Sequence, residues 1–144
     1  MEPVIRDATY GDSTGIVRLI RGLSETPAQE NPLTETYVRG YLDAPNSRIL
    51  LAVRGERVIG LLSYSVRPDL FHAAPCCFIE ELVVDASERG KGIGTELMRA
   101  LLARTDKEDC AEVSLTVMPE NTSAQRFYRR LGITEEVLCL ERHF

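Results

Sequence analysis

The stretch that most limits what this chain can fold into runs from Phe78 to Arg104. Phe78-Ile79-Glu80-Glu81-Leu82-Val83-Val84-Asp85 is largely apolar and β-branched, the make-up of a strand. A glycine-rich loop follows at Arg89-Gly90-Lys91-Gly92-Ile93-Gly94-Thr95. Beyond it Ile93, Leu97, Leu101 and Arg104, with Met98 and Leu102 beside them, recur at helical spacing. Strand, glycine loop and helix in that order aim the free N–H groups of the helix start at one point, where the macrodipole favours an anion. Arg89 and Lys91 work against that dipole on their own, so their presence favours an anion site over a solvated turn.

The spacing narrows the ligand. It lacks Gly-x-x-x-x-Gly-Lys-Ser/Thr, and glycines at 90, 92 and 94 do not make Gly-x-Gly-x-x-Gly, which disfavours a nucleotide-binding domain. It does match Arg/Gln-x-x-Gly-x-Gly through Arg89, Gly92 and Gly94. Downstream, Asn121, Ala124, Phe127, Tyr128, Leu131 and Gly132 match Asn-x-x-Ala-x-x-Phe-Tyr-x-x-Leu-Gly-Phe, with Ile133 at the last aromatic position. On these two motifs the chain resembles the GNAT superfamily of acyl-CoA-dependent N-acyltransferases. The resemblance implies that Arg89, Gly90, Lys91, Gly92, Ile93, Gly94 and Thr95 hold the coenzyme A pyrophosphate. It places the backbone of Leu82, Val83 and Val84 along the pantetheine arm, and Asn121 and Ala124 on the cofactor side of the later motif. It also implies a free N–H at Val84 or Leu82 for the thioester carbonyl, and Tyr128 as the general acid near the sulfur. Periodicity alone makes Tyr128 an amphipathic residue on the apolar face of the last helix.

Glu80 and Glu81 are the unusual pair. Adjacent strand residues point to opposite faces, so both line one pocket only if the strand is bulged. Two carboxylates in an apolar strand are costly to bury unpartnered, so one of them faces a polar cavity or pairs with an arginine on a covering helix. In the branches of the family that acetylate polyamines and aminosugars, the Glu80 position contacts the amine or serves as base, and Glu81 is the neighbouring candidate. Thr116, near where other branches carry a base, has no carboxylate. His72 stands in a loop with no partner identifiable from sequence.

The remaining segments fill out the fold. Val4–Ala8 reads as a first strand, and Asp12 or Ser13 caps a helix carrying Ile16, Leu19, Ile20 and Leu23. Residues 24–32 form a polar loop with two prolines, and Thr34 caps a second helix carrying Tyr37, Val38, Tyr41 and Leu42. The resemblance makes this region one wall of the acceptor site, with Glu25, Glu30, Glu35, Tyr37 and Tyr41 as contacts of lower rank than surface or core roles. Residues 49–53 and 58–66 make a hairpin, and 67–75 a loop long enough to overhang a site. Val113, Leu115 and Val117 alternate in a strand, 121–132 forms a helix, and Val137–Leu140 a last strand. The result is an α+β fold: a mixed central sheet of about six to seven strands with helices on both faces, in the order β-α-α-β-β-β-α-β-α-β(-β). The resemblance adds that strands 78–85 and 112–118 splay apart around the thioester.

Composition sets the bounds. The 144 residues fit a single domain, 1–144, which the resemblance makes an N-acetyltransferase domain, and 44% hydrophobic content supports one core. A net charge of −5 disfavours nucleic acid and suits cationic substrates, and no apolar run reaches a membrane span. No signal peptide opens the sequence, and Cys76, Cys77, Cys110 and Cys139 lack Cys-x-x-Cys spacing. The expectation is therefore a cytoplasmic protein with reduced, buried thiols and no metal. The expected co-substrate is acetyl-CoA and the acceptor a small-molecule or protein amine, with a homodimer left open. A non-catalytic acyl-CoA-binding regulatory domain is the alternative.

Overall fold

The computed structural model describes residues 1–23 and 31–144, so the loop expected at 24–30, with Glu25 and Glu30, lies outside the described residues. The described elements are β1 (Val4–Asp7), α1 (Ser13–Arg21), α2 (Glu35–Asp43), β2 (Ser47–Arg54), β3 (Arg57–Asp69), β4 (Ala74–Val84), α3 (Ile93–Lys107), β5 (Glu112–Leu115) and α4 (Thr122–Arg130). They form a mixed sheet in the order β1-β2-β3-β4-β5, antiparallel as far as β4 and parallel between β4 and β5. The α+β class is as expected from sequence. The strand count is lower: five strands form among the described residues.

The missing strand is Val137–Leu140. Its apolar residues suit a strand, but a strand exists only against a partner edge. No ladder forms there, and Val137, Leu138 and Leu140 stay exposed. Similarly β5 ends at Leu115 rather than Val117. The loop expected over 67–75 is instead mostly ladder. Arg67 pairs with Cys76, Pro68 with Pro75 and Asp69 with Ala74, leaving a tight turn over 70–73. The first helix stops at Arg21, short of the exposed Leu23. The cap of the second is as read, with the Thr34 hydroxyl accepting from the Tyr37 N–H at 3.1 Å. Tyr37, counted on its apolar face, is exposed.

Alternation divides the sheet into two apolar faces. Leu50, Ala52, Leu62, Tyr64, Cys77 and Ile79 face α3. Ile49, Leu51, Val53, Leu61 and Val83 face α1 and α2. Gly60 sets how closely α3 lies on β3: a Cβ there would stand 2.9 Å from Ile93 Cγ2 and 3.1 Å from Leu97 Cδ1. Gly60→Ala is therefore expected to destabilise the fold by about 1–3 kcal/mol through overpacking. The check is the urea midpoint at constant m-value; an unchanged midpoint would mean that α3 can lift without cost.

Candidate active site

The site is built on an irregularity in β4. Leu82 pairs with Leu62 and Glu81 with Ser63, but Tyr64 pairs with Ile79, leaving Glu80 as an extra residue. This is a β-bulge, and it resets the alternation. Before it Cys77 and Ile79 face α3; after it Leu82 and Val84 do so in place of Glu81 and Val83. Both glutamates thus reach the α1/α2 side. The arginine pairing considered from sequence does not occur for either among the described residues.

Ser63 fills the bulge. Its hydroxyl accepts from the Glu81 N–H at 3.1 Å and donates to the Glu81 carboxylate. Tyr41 comes down from α2 toward the same place. Its hydroxyl is buried without a partner among the described residues, and burial, reinforced by the charges of Glu80 and Glu81, pushes the phenol up to about 12. The Glu80 carboxyl is raised above the usual carboxylate range, first by its partial burial and then by Glu81. Ser63, Glu81 and Tyr41 line a cavity of about 150 Å³ together with Ile16, Val38 and Leu61.

On the other edge of β4 the ladder stops early. β5 pairs only from Cys76 opposite Glu112 to Ile79 opposite Leu115, so β4 beyond Ile79 is open on that side. Asp85 N–H donates to Ile59 O at 2.8 Å and Glu81 N–H to Ser63, both toward β3. Alternation then turns the N–H groups of Leu82 and Val84 to the open edge. The Val84 carbonyl also faces that way, accepting from Arg89 Nε at 3.3 Å.

Asp85 ties the end of β4 to the glycine loop. It accepts from the Ser87 hydroxyl at 2.7 Å, from Arg18 at 2.6 Å and from Arg57 at 2.9 Å. The Ser87 hydroxyl and then Arg18 hold its carboxyl well below the usual range. Gly92 begins α3 with φ 84°, a left-handed conformation that favours glycine, and open space surrounds its missing Cβ. The first intrahelical bond runs from Glu96 N–H to Gly92 O, so the amides of Ile93, Gly94 and Thr95 precede it. Gly90 is also left-handed and exposed, and the Ile93 side chain belongs to the core. Lys91 lies 3.5 Å from Glu88, which also binds Arg54. Its place in the loop therefore has an ion-pair explanation that the sequence reading lacked.

Gly94 approaches Phe127, Val84 and Leu82, so the loop and α4 meet beside the open edge. Asn121 caps α4, its side chain accepting from the Ala124 N–H at 3.2 Å. Tyr128 is half-buried with Leu82 and Val84 in the α3-side cluster, set edge-to-face against Phe127, and burial raises its phenol pKa. The glutamates lie on the α1/α2 face of the sheet and Tyr128 packs on the other, at the level where β4 and β5 part. Two residues of this arrangement were not among the sequence's site candidates. Ser63 had one signal, a lone hydroxyl inside the apolar run Leu61-Leu62-Ser63-Tyr64. Tyr41 was ranked below a surface or core role.

Fold and motifs together fall within one family. The chain belongs to the GNAT acetyltransferase family, whose model matches residues 17–133. It is 30% identical over 90 residues to an L-2,4-diaminobutyric acid acetyltransferase of Shouchella clausii, covering 62% of this chain and 49% of that one. It is 29% identical over 128 residues to an aminoalkylphosphonate N-acetyltransferase of Salmonella typhimurium, covering 89% and 82%. The chain thus spans about half the length of the first of these relatives and most of the second. A crystal structure of a transcriptional regulator from Bacillus halodurans C-125 superposes with a TM-score of 0.85 at 28% identity, over 99% of this chain and 100% of that one. Among the described residues no helix is long and apolar enough to cross a membrane.

Proposed function

We propose that this chain, acting as one domain, is an N-acetyltransferase that moves an acetyl group from acetyl-CoA to a compact primary amine by direct transfer in a ternary complex. The observation that carries this reading is the bulge at Glu80, which turns two carboxylates to the α1/α2 side of the sheet, with Glu81 lining a small cavity there, while the next N–H groups open on the other edge. The side-chain-free Gly92 and the amides of Ile93, Gly94 and Thr95 suit the pyrophosphate, with Arg89 and Lys91 adding charge. The family's relatives named above act on small amines, and a cavity of about 150 Å³ lined by apolar side chains and the Glu81 carboxylate suits an aliphatic ammonium.

Each residue then has one task. Glu81 and the Tyr41 oxygen receive the ammonium, and Glu80 takes its proton to free the lone pair for attack on the thioester carbonyl. The N–H of Leu82 or Val84 stabilises the oxyanion as the C–N bond forms. When the C–S bond breaks, Tyr128 protonates the leaving sulfur, a role that needs a neutral phenol, and its raised pKa keeps it neutral. The test is calorimetric titration with acetyl-CoA, with ATP and NADH as controls, followed by a thiol-release screen over small amines. Selective acetyl-CoA binding is expected. Tyr128→Phe is expected to lower kcat by roughly 100-fold with acetyl-CoA affinity retained. Absence of acetyl-CoA binding overturns the reading. Tight binding without thiol release from any amine would favour a regulatory acyl-CoA sensor, the reading that similarity to a transcriptional regulator supports.

A further inference from the structure

At the far end of β4 from the bulge, three side chains of different chemistry converge across the tight turn over 70–73. Asp69 ends β3, His72 lies in the turn, and Cys76 is the third residue of β4. Asp69 Oδ2 accepts from the His72 backbone N–H at 3.0 Å and lies 2.7 Å from His72 Nδ1. His72 Nδ1 is 3.5 Å from Cys76 Sγ, and one donor atom from each residue lies within 4.8 Å of the others. We propose that this Asp69–His72–Cys76 cluster is a binding site for one divalent transition-metal ion of the zinc type, separate from the acetyl-transfer site and not required by its chemistry.

The geometry supports the donor set. Zinc bonds of about 2.0 Å to imidazole nitrogen and about 2.3 Å to thiolate, at a tetrahedral angle, separate N and S by about 3.5 Å. That is the spacing already present between His72 and Cys76. The carboxylate has to move out by about 0.6 Å from the imidazole, because the corresponding N···O span is about 3.3 Å. Oxygen, nitrogen and sulfur donors with a fourth position left to water suit zinc or cobalt rather than calcium or magnesium.

The charges decide in the same direction. The charged groups around Cys76 are Asp69 and Glu112, with Arg67 opposing them. Glu112 stands opposite Cys76 in the parallel ladder. The carboxylates that disfavour a lone thiolate attract a dication, and an ion bound there favours loss of the thiol proton. Asp69, thiolate and neutral imidazole then balance the ion's charge, with one proton released to solvent. Arg67, 3.5 Å from Asp69 Oδ1, is the opposing cation; its side chain is mostly exposed and can turn away. Sequence offered only the spacing Asp-x-x-His-x-x-x-Cys, which becomes a cluster once the hairpin turn is as tight as it is.

The test is titration of the reduced, chelator-treated full chain with Co²⁺, followed by the near-ultraviolet thiolate-to-cobalt absorption, with proton release recorded in parallel. Saturation at one equivalent, with about one proton released and reversal by Zn²⁺, is expected. Cys76→Ser should abolish the band. His72→Ala should weaken binding beyond the roughly 10–100-fold that loss of an outer-shell partner costs. Cys139→Ser/His143→Ala, which removes the donors of the exposed C-terminal segment, should leave the band unchanged. A band absent at saturating Co²⁺, or one that survives Cys76→Ser, overturns the assignment. Thermal melting of Cys76→Ser without metal separates loss of the site from loss of the fold.

Discussion

Gly92→Asp is expected to lose acetyl-CoA affinity by roughly 100-fold or more. Two effects add. A non-glycine residue at φ 84° costs about 1–2 kcal/mol of left-handed strain. A carboxylate at the start of α3 also sets a negative charge against the pyrophosphate, where each charge-assisted hydrogen bond is worth about 1.5–3 kcal/mol. With tenfold in affinity per 1.4 kcal/mol, either effect is measurable and together they amount to roughly two to three and a half decades. Gly92→Asn isolates the charge, because asparagine has the shape and backbone preferences of aspartate and carries no charge. It is expected to remain within about tenfold of the wild type. The measurement is calorimetry on both variants with thermal melting alongside; unchanged affinity in Gly92→Asp would refute the loop assignment.

Glu80→Gln is expected to lower kcat by roughly 100-fold or more, since general-base contributions run from about 10²- to 10⁴-fold. The sign of the pH dependence follows from the environment. A base works only when ionised, and partial burial together with Glu81 raises the Glu80 carboxyl above the usual range. Activity should therefore climb with pH through that raised value and then level off. Glu80→Gln removes this limb. Glu81→Gln moves it to lower pH, because the charge that helped raise Glu80 is gone, and it should act mainly on KM, since Glu81 is held by Ser63 facing the cavity. The check is kcat/KM against pH for the three proteins. Equal and negligible losses in both variants would assign the deprotonation to water.

The central strand, glycine loop and helix were legible because their signals are local. Apolar runs, a helical period and glycines at 90, 92 and 94 each act within a few residues. The cap at Thr34 and the helix from 122 were legible for the same reason. The bulge was legible only as a condition, that Glu80 and Glu81 share a pocket if β4 bulges. Whether it forms depends on Ser63, 18 residues earlier in sequence, being there to receive the Glu81 N–H. Tyr41 was ambiguous in the same way, since the role of a helix tyrosine depends on what faces it across the sheet. The last strand misled because Val137–Leu140 carries strand composition, while pairing is a property of two segments and not of one. His72 looked solitary because the turn that brings it to Asp69 and Cys76 looked like a long loop.

The extra residue in β4 also makes strand length carry information. If Glu80 were deleted, the strand would regain strict alternation without losing any other residue of the set. Every side chain downstream would keep its face, Glu81 and Val83 toward α1 and α2, Leu82 and Val84 toward α3, in the pairing each already has. The shift in space comes instead from keeping Glu80 and losing the bulge: with Glu80 opposite Ser63, Glu81 and Val83 would turn toward α3, and Leu82 and Val84 toward α1 and α2. The surplus residue and the Ser63 hydroxyl that receives the Glu81 N–H therefore act as one unit, since six residues of β4, 79–84, stand opposite five of β3, 60–64, only while that bulge holds.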